Sequence, residues 1–339
     1  MITVKTKAAD QPVRIKAGVY GPSGAGKTRL GSLAYITRPG ALLHIVTEGQ
    51  AEVIVRLWNP EAQVIVATSF GDVRLAYEYA ARGFKTGFVH VPSQEPGQPV
   101  VWTKTDVPFD VETIVVDSAS DIFRTLKAEV ASDAVRRAAS KHLSKTGSMD
   151  GFASEEEDIT FRDWDNIQTK MLSMLRGFRD LPCNLLVIYA QEEKEDKALG
   201  TVKGPYLQGK DLKASTMGLF NAFGYAYRRP ATATEREAGR PDIIREVAFV
   251  ADERYSTKSL DGLSGVEAPD FRAWHRKFRE FMLAIAEKRA KALAKGEPAP
   301  APPSEQSQET AEPQVTPAVE EITTTAGDVQ QEAGKTGEE

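Results

Sequence analysis

The residues with the clearest chemical purpose form the octapeptide Gly21-Pro22-Ser23-Gly24-Ala25-Gly26-Lys27-Thr28. It matches the pattern G-x-x-x-x-G-K-[ST] at every defined position. The glycines of such a loop let backbone N–H groups turn toward phosphate oxygens, and the following helix presents its positive end to the anion. We expect Lys27 to reach the β- and γ-phosphates and the Thr28 hydroxyl to coordinate Mg²⁺. The octapeptide therefore predicts a binding site for ATP and Mg²⁺.

The segments on either side of this loop have the patterns that a phosphate-binding turn requires. Residues 13–20 alternate and end at a glycine, which predicts a strand, and residues 26–36 predict a helix. A plain glycine turn without a ligand is the alternative interpretation. The strand–loop–helix context disfavours it.

Three further polar residues come directly after apolar runs that predict buried strands: Glu48, Asp117 and Gln191. Ligands bind at the carboxyl ends of parallel strands. We expect Asp117 to hold the magnesium shell through water and Glu48 to orient a water molecule for attack on the γ-phosphate. We expect Gln191 to sense that phosphate. The alternatives are a solvated loop glutamate for Glu48, an aspartate that caps a loop after a buried strand for Asp117, and a surface residue at a strand end for Gln191. The apolar runs are residues 41–47, 113–116 and 184–190.

The remaining segments alternate between strand-like and helix-like patterns. This alternation predicts an α/β fold, a mainly parallel sheet with helices on both faces. Residues 84–110 predict a β-hairpin insertion, and residues 192–214 predict a long loop. The further predicted strands are residues 64–68, 222–228 and 243–250, and the further predicted helices are residues 72–81, 121–143, 161–179 and 270–294.

Composition divides the chain into three parts: an arm at residues 1–12, a domain at residues 13–294 and a tail at residues 295–339. The tail is rich in Pro, Ala, Glu, Gln and Thr, which predicts disorder. Residues 296–339 contain ten acidic residues and one lysine, which gives this stretch a net charge of −9. Because the whole chain has a net charge of −5, the remaining residues together carry +4. A slightly basic body is compatible with a nucleic-acid partner.

Several classes of protein do not fit the composition. The single cysteine, Cys183, excludes an internal disulfide and a zinc site built on cysteines. No apolar run reaches the roughly 18–20 residues of a membrane span. The first ten residues lack the apolar core of a secretory signal. We therefore expect a cytoplasmic protein with no membrane partner.

The phosphate loop, Glu48, Asp117-Ser118 and Gln191 occur in a chain order that resembles the RecA-like ATPases. More narrowly, the chain is similar to phage-encoded ATPases of single-strand annealing and recombination, the AAA-type ATP-binding phage proteins. The resemblance covers about residues 12–285. It implies a RecA-like core that hydrolyses ATP, binds single-stranded DNA, assembles into a ring or filament and meets a single-strand-binding or recombination protein. Besides the phosphate loop, the supporting stretches are residues 164–182, 185–191, 204–210 and 252–262.

The segment after Gln191 carries the candidate DNA contacts Lys203, Tyr206, Lys210 and Lys213. Cations bind the phosphates of single-stranded DNA, and aromatic rings stack on its bases. The resemblance implies a DNA-binding loop at this position. Acidic residues in the same segment nearly cancel the lysines, so a solvated loop without a ligand is the alternative.

Two later cations, Arg254 and Lys258, flank a predicted strand. The resemblance implies that cations near this position reach the γ-phosphate of a neighbouring subunit. A cation supplied in this way stabilises charge in the transition state of phosphoryl transfer. Surface charge on an edge strand is the alternative.

The leading interpretation is a Mg-ATP-dependent, single-stranded-DNA-binding ATPase of phage recombination or annealing, which would act in the host cytoplasm. One alternative is a helicase- or packaging-type motor. The other is a nucleotide-switched protein-binding module with little hydrolysis.

Overall fold

The computed structural model describes residues 13–93, 101–148, 160–250, 254–258, 263 and 265–294. The predicted arm at residues 1–12 and the predicted acidic tail at residues 295–339 lie outside these ranges. None of the helices within them has both the length and the hydropathy that crossing a bilayer requires.

A large mixed sheet forms the centre of the fold. In chain order the strands are β1 (Lys16–Gly21), β2 (Leu42–Val46), β3 (Gln63–Val66), β4 (Phe88–Ser93), β5 (Val101–Pro108), β6 (Thr113–Asp117), β7 (Asn184–Asp196), β8 (Gly200–Pro205), β9 (Ala222–Pro230), β10 (Ile243–Ala248) and β11 (Val266–Glu267). The strand order in the large sheet is β11-β10-β9-β1-β7-β6-β2-β3, and β8 pairs with β7. The six strands from β9 to β3 in this order run parallel, whereas β10, β11 and β8 pair antiparallel. The predicted mainly parallel sheet is confirmed.

Helices cover both faces of the sheet and bury a separate apolar cluster on each. The helices are α1 (Lys27–Ser32), α2 (Gly49–Trp58), α3 (Phe70–Thr86), α4 (Ala119–Thr146), α5 (Phe161–Asp180), α6 (Lys210–Gly218), α7 (Ala233–Glu237) and α8 (Phe271–Ala294). Ile114 and Val116 of β6 belong to one cluster and Val115 belongs to the other, because successive strand residues point to opposite faces. The first cluster is completed by α3, α4 and α5, and the second by α1, α2 and α8.

The segment predicted as a loop at residues 192–214 has regular structure instead. Strand β7 continues through Asp196 and pairs antiparallel with β8, and α6 begins at Lys210. The sequence did not predict these strands because they carry charged residues, such as the cross-strand pair Glu193–Lys203. A half-buried strand would be recognised by alternating apolar and polar residues. Within the predicted insertion at residues 84–110, α3 runs to Thr86, and β4 and β5 then form a two-stranded antiparallel sheet.

Close packing between β1 and β9 depends on Gly18. A Cβ at Gly18 would lie 2.3 Å from Cε2 of the buried Phe223 ring, which belongs to the residue paired with Gly18 across the sheet. We therefore expect Gly18→Ala to destabilise the fold by about 1–3 kcal/mol, the usual cost of overpacking a core. Denaturant unfolding measures it. Gly218→Ala is the matched control, because no heavy atom lies within 4 Å of the added carbon. Equal stability of the two variants would contradict this account.

Candidate functional site

The carboxyl ends of β1, β2, β6 and β7 open onto one cavity of about 600 Å³. The structure brings nearly all of the predicted nucleotide-site residues together around it. Ala25 is the exception, since its side chain is buried in the apolar cluster that also contains α1. The predicted residues that line the cavity are Gly21, Pro22, Ser23, Gly24, Gly26, Lys27, Thr28, Glu48, Asp117 and Gln191.

Lys27 lies folded over the phosphate loop. Its Nζ donates hydrogen bonds to the carbonyl oxygens of Gly21 at 2.7 Å and Pro22 at 2.8 Å. Burial lowers the pKa of Lys27, while the carboxylates of Asp117 and Glu48 act in the opposite direction. The ammonium group is thus held at the mouth of the loop, where phosphate oxygens would replace the two carbonyls as its partners.

Asp117 is held at the floor of the cavity by the adjacent strand β2. The backbone N–H of Thr47 donates to the Asp117 carbonyl at 2.8 Å, and the backbone N–H of Ser118 donates to Thr47 Oγ1 at 3.0 Å. The Asp117–Ser118 peptide bond is cis. Asp117 is only 6% exposed, and its Oδ2 has no hydrogen-bond partner among the described residues. His44 Nε2 is 3.7 Å from that oxygen.

These residues fit a magnesium ion. Mg²⁺ commonly binds through one or two protein oxygens, several waters and the substrate phosphates. The buried, unpartnered Asp117 Oδ2 and the hydroxyl of Thr28 line the same cavity. They would hold the ion, the carboxylate through water and the hydroxyl directly.

Glu48 has a carboxylate neighbour that sequence reasoning missed. Interaction with the neighbouring carboxyl group of Asp121, followed by burial, raises the pKa of Glu48. Asp121 also accepts a hydrogen bond from the Ser118 hydroxyl. Its Oδ1 forms an ion pair with Arg124 Nη1 at 2.6 Å. An acid in the first turn of a helix is a common capping residue, so Asp121 carries no functional signal in the sequence.

Gln191 lies on β7 at the point where the strand leaves the sheet to form the hairpin with β8. Its Oε1 is buried and has no hydrogen-bond partner within the part of the chain that the structure describes. Ser120 Oγ accepts from the Ala190 N–H at 3.0 Å and donates to the Tyr206 carbonyl at 3.0 Å. The Arg124 guanidinium lies 4.4 Å above the Tyr206 ring, within cation–π range. The start of α4 is therefore hydrogen-bonded to β7 and to Tyr206, the residue that follows β8.

The predicted DNA contacts lie on this hairpin and on α6, and two of them are paired with acids. Lys203 Nζ is 3.9 Å from the Glu193 carboxylate. Lys213 forms an ion pair with Glu192, and each of these side chains is 19% exposed. Lys210 is the first residue of α6, and its side chain is not described. Tyr206 packs against Arg124 as above.

Arg254 lies beside the hairpin and Lys258 beside β9, and neither is among the residues that line the cavity of their own chain. The Arg254 carbonyl accepts from the Lys203 backbone N–H at 2.8 Å. Lys258 exchanges two backbone hydrogen bonds with Phe223, at 2.8 and 2.9 Å.

Other residues line the cavity without having been predicted. Arg245 reaches it from β10. Arg29 and Trp58 face each other on another wall, with the guanidinium 3.8 Å from the indole centroid. Their positions depend on contacts between elements distant in sequence, so no local motif marks them.

The fold and the site define a P-loop ATPase. A model of the AAA domain family matches residues 14–237, a range that includes the phosphate loop, Glu48, Asp117 and Gln191. The match covers more than half of the chain, and the chain belongs to this family.

No curated protein matches the chain. Among solved structures, it is similar to a prototypical ATPase from the type III secretion system of pathogenic bacteria. The identity is 13%, and the similarity covers 83% of this chain and 63% of that chain with a TM-score of 0.32. The chain thus spans less than two thirds of that ATPase.

Proposed function

We propose that this P-loop ATPase is RecA-like, binds single-stranded DNA in a Mg-ATP-dependent manner and acts in phage DNA recombination or strand annealing. One observation carries the proposal. Strand β7 runs without interruption from Gln191, in the wall of the nucleotide cavity, into the lysine-bearing hairpin. A change at the γ-phosphate would therefore act on the strand that would touch DNA.

In the proposed reaction, Glu48 accepts a proton from the water molecule that attacks the γ-phosphorus. The bond between the γ-phosphorus and the β–γ bridging oxygen breaks, and ADP leaves with that oxygen. Lys27 stabilises the negative charge that develops on the β- and γ-phosphate oxygens. Magnesium, when bound beside Thr28 and Asp117, supplies further charge stabilisation at these oxygens. Glu48 lies close enough to Asp117 and Lys27 for their charges to influence one another, which supports a shared reaction centre.

A second connection supports coupling between hydrolysis and the hairpin. Asp121 lies close enough to Glu48 to raise its pKa and is ion-paired with Arg124, whose guanidinium packs on Tyr206. Movement of the Glu48 carboxylate would disturb the Asp121–Arg124 pair and the aromatic ring beneath it. Tyr206 directly follows β8, so the disturbance would reach the hairpin.

We further propose that the chain works as a homo-oligomer, a ring or filament, in which Arg254 and Lys258 act on the γ-phosphate of a neighbour. Their position outside their own cavity is compatible with that role. A single-strand-binding or recombination protein is the proposed protein partner.

The decisive experiment is ATP hydrolysis with and without single-stranded DNA. We expect DNA to stimulate hydrolysis and the double variant Lys203→Ala/Lys210→Ala to lose the stimulation while binding ATP normally. The matched control is Lys85→Ala/Lys145→Ala, which removes two charges from the last turns of α3 and α4. Because phosphate contacts release counterions, the stimulation should weaken steeply with added salt. Equal stimulation of both double variants would refute the hairpin contact, and directional movement along DNA would indicate a motor.

A specific observation also favours a nucleotide-switched protein-binding module as the second candidate. The cations Lys194, Lys203 and Lys213 lie within 4 Å of acids on the same hairpin, which lowers their attraction for DNA. This candidate predicts tight ATP binding, negligible turnover and no effect of DNA in the same assay.

A further inference from the structure

Two arginines outside the predicted site lie over the phosphate loop. Arg228 of β9 and Arg245 of β10 are paired directly across these antiparallel strands. Arg245 Cδ lies 2.8 Å from the point that a Cβ on Gly26 would occupy, and Arg228 Nη1 lies 3.4 Å from the corresponding point at Gly24. Both glycines have positive φ angles, of 88° and 76°. Arg245 also lines the nucleotide cavity, whereas Arg228 lies against the loop at Gly24 and is not among the lining residues.

Among the described residues, no acidic side chain lies within ion-pair distance of either arginine. Like charges placed directly opposite each other on neighbouring strands destabilise a sheet. Throughout the described ranges, neither guanidinium forms an ion pair or a hydrogen bond, although both side chains are exposed to solvent. The adjacent Arg229 differs, since it is ion-paired with Glu235 at 2.8 Å and Glu246 at 2.7 Å. Repulsion between Arg228 and Arg245 is thus uncompensated beside a loop built for an anion.

We propose that Arg228 and Arg245 bind the phosphate chain of the nucleotide held by their own subunit. A guanidinium presents paired N–H donors that match phosphate oxygens. Lys27 extends from α1, whereas the two arginines approach the loop from β9 and β10. A polyphosphate bound between Arg228 and Arg245 would attract both guanidinium groups and so offset the repulsion between them. The inference rests on the nucleotide-binding part of the proposed function and not on DNA binding.

Equilibrium binding of a non-hydrolysable ATP analogue with Mg²⁺ to the full chain tests the proposal. We expect Arg228→Ala and Arg245→Ala each to weaken binding about tenfold, the lower end for a hydrogen bond to a charged group. Lysine at either position should retain part of the affinity, because it keeps the charge but not the paired donors. The control Arg236→Ala removes an exposed arginine from α7 and should change the affinity less than about twofold.

Thermal unfolding of the nucleotide-free protein separates binding from structural support. Removing one of two facing like charges should leave the unfolding midpoint unchanged or raise it, while the rise produced by the ATP analogue becomes smaller. Unchanged affinity in the double variant would overturn the proposal. A fall in affinity accompanied by a lower midpoint without nucleotide would also overturn it, because the arginines would then support the fold instead. If the unaltered chain failed to bind the analogue, the nucleotide site itself would be wrong.

A mixing experiment tests whether the arginines serve their own subunit. Lys27→Ala subunits keep both arginines, and Arg228→Ala/Arg245→Ala subunits keep the lysine. The ATP concentration is set so that the unaltered chain is saturated and the double-arginine variant is not. With the arginines acting within one chain, mixtures of the two variants should then hydrolyse ATP no faster than the average of the separate proteins. Recovery of hydrolysis in the mixture would show that the arginines act on a neighbour and would overturn the proposal.

Discussion

Glu48→Gln is expected to lower the rate of ATP hydrolysis by roughly 10²- to 10⁴-fold, the usual contribution of a general base. The amide cannot accept a proton from the attacking water, but it has nearly the same shape. Affinity for ATP should change little, because the phosphate loop and Lys27 are untouched. The expected result is therefore a lower kcat with nearly unaltered binding.

Steady-state turnover and equilibrium binding of ATP together measure this effect. Glu52→Gln is the matched control, since Glu52 lies one turn later on α2 and is ion-paired with Arg56 at 2.8 Å. It removes the same charge four residues further along the chain and should leave turnover intact. If Glu48→Gln hydrolysed ATP at the normal rate, Glu48 would not activate the water. Asp121, the neighbouring carboxylate, would be the next residue to replace.

Lys27→Ala is expected to weaken the binding of Mg-ATP by about 10- to 100-fold, as the loss of a hydrogen bond to a charged group implies. Hydrolysis should fall further, because the charge on the γ-phosphate increases in the transition state. The variant also leaves the carbonyls of Gly21 and Pro22 without their lysine donor. Some loss of stability will therefore accompany the loss of binding.

Lys16→Ala separates these two effects. Lys16 begins the strand that leads into the phosphate loop, and its Nζ also donates to two backbone carbonyls, those of Leu181 at 2.8 Å and Cys183 at 2.6 Å. Burial lowers the pKa of Lys16 as it does that of Lys27. We expect Lys16→Ala to lower thermal stability and to leave ATP affinity unchanged. Equal losses of affinity in the two variants would show that the Lys27 effect is structural.

The phosphate loop could be predicted from sequence because its function is local. Eight consecutive residues contain the glycines, the lysine and the hydroxyl, and the apolar pattern before them predicts the strand that positions them. Glu48, Asp117 and Gln191 could be located by one general rule, that ligands meet the carboxyl ends of parallel strands. Long buried strands such as residues 184–190 have an apolar run that is easy to recognise.

The pattern of apolar residues did not predict strands and helices that are exposed to solvent on more than one side. The hairpin of β7 and β8 carries charges along both strands, so its residues have the composition of a solvated loop. Helix α2 was not predicted either. It exposes Val53, Ile54 and Leu57, so its apolar residues do not mark the buried face. Pairing and packing hold such elements in place, and neither leaves a periodic signal in the sequence.

The sequence alone therefore establishes the nucleotide-binding loop, the α/β class and the strand-end polar residues, all of which follow from local pattern. The tertiary structure adds the insertion of β7 between β1 and β6, which places Gln191 between the phosphate loop and Asp117. It also adds the Glu48–Asp121 contact and the register that sets Arg228 opposite Arg245. These contacts join residues far apart in the chain. Strand order and register arise from the packing of the whole sheet, which no single segment encodes.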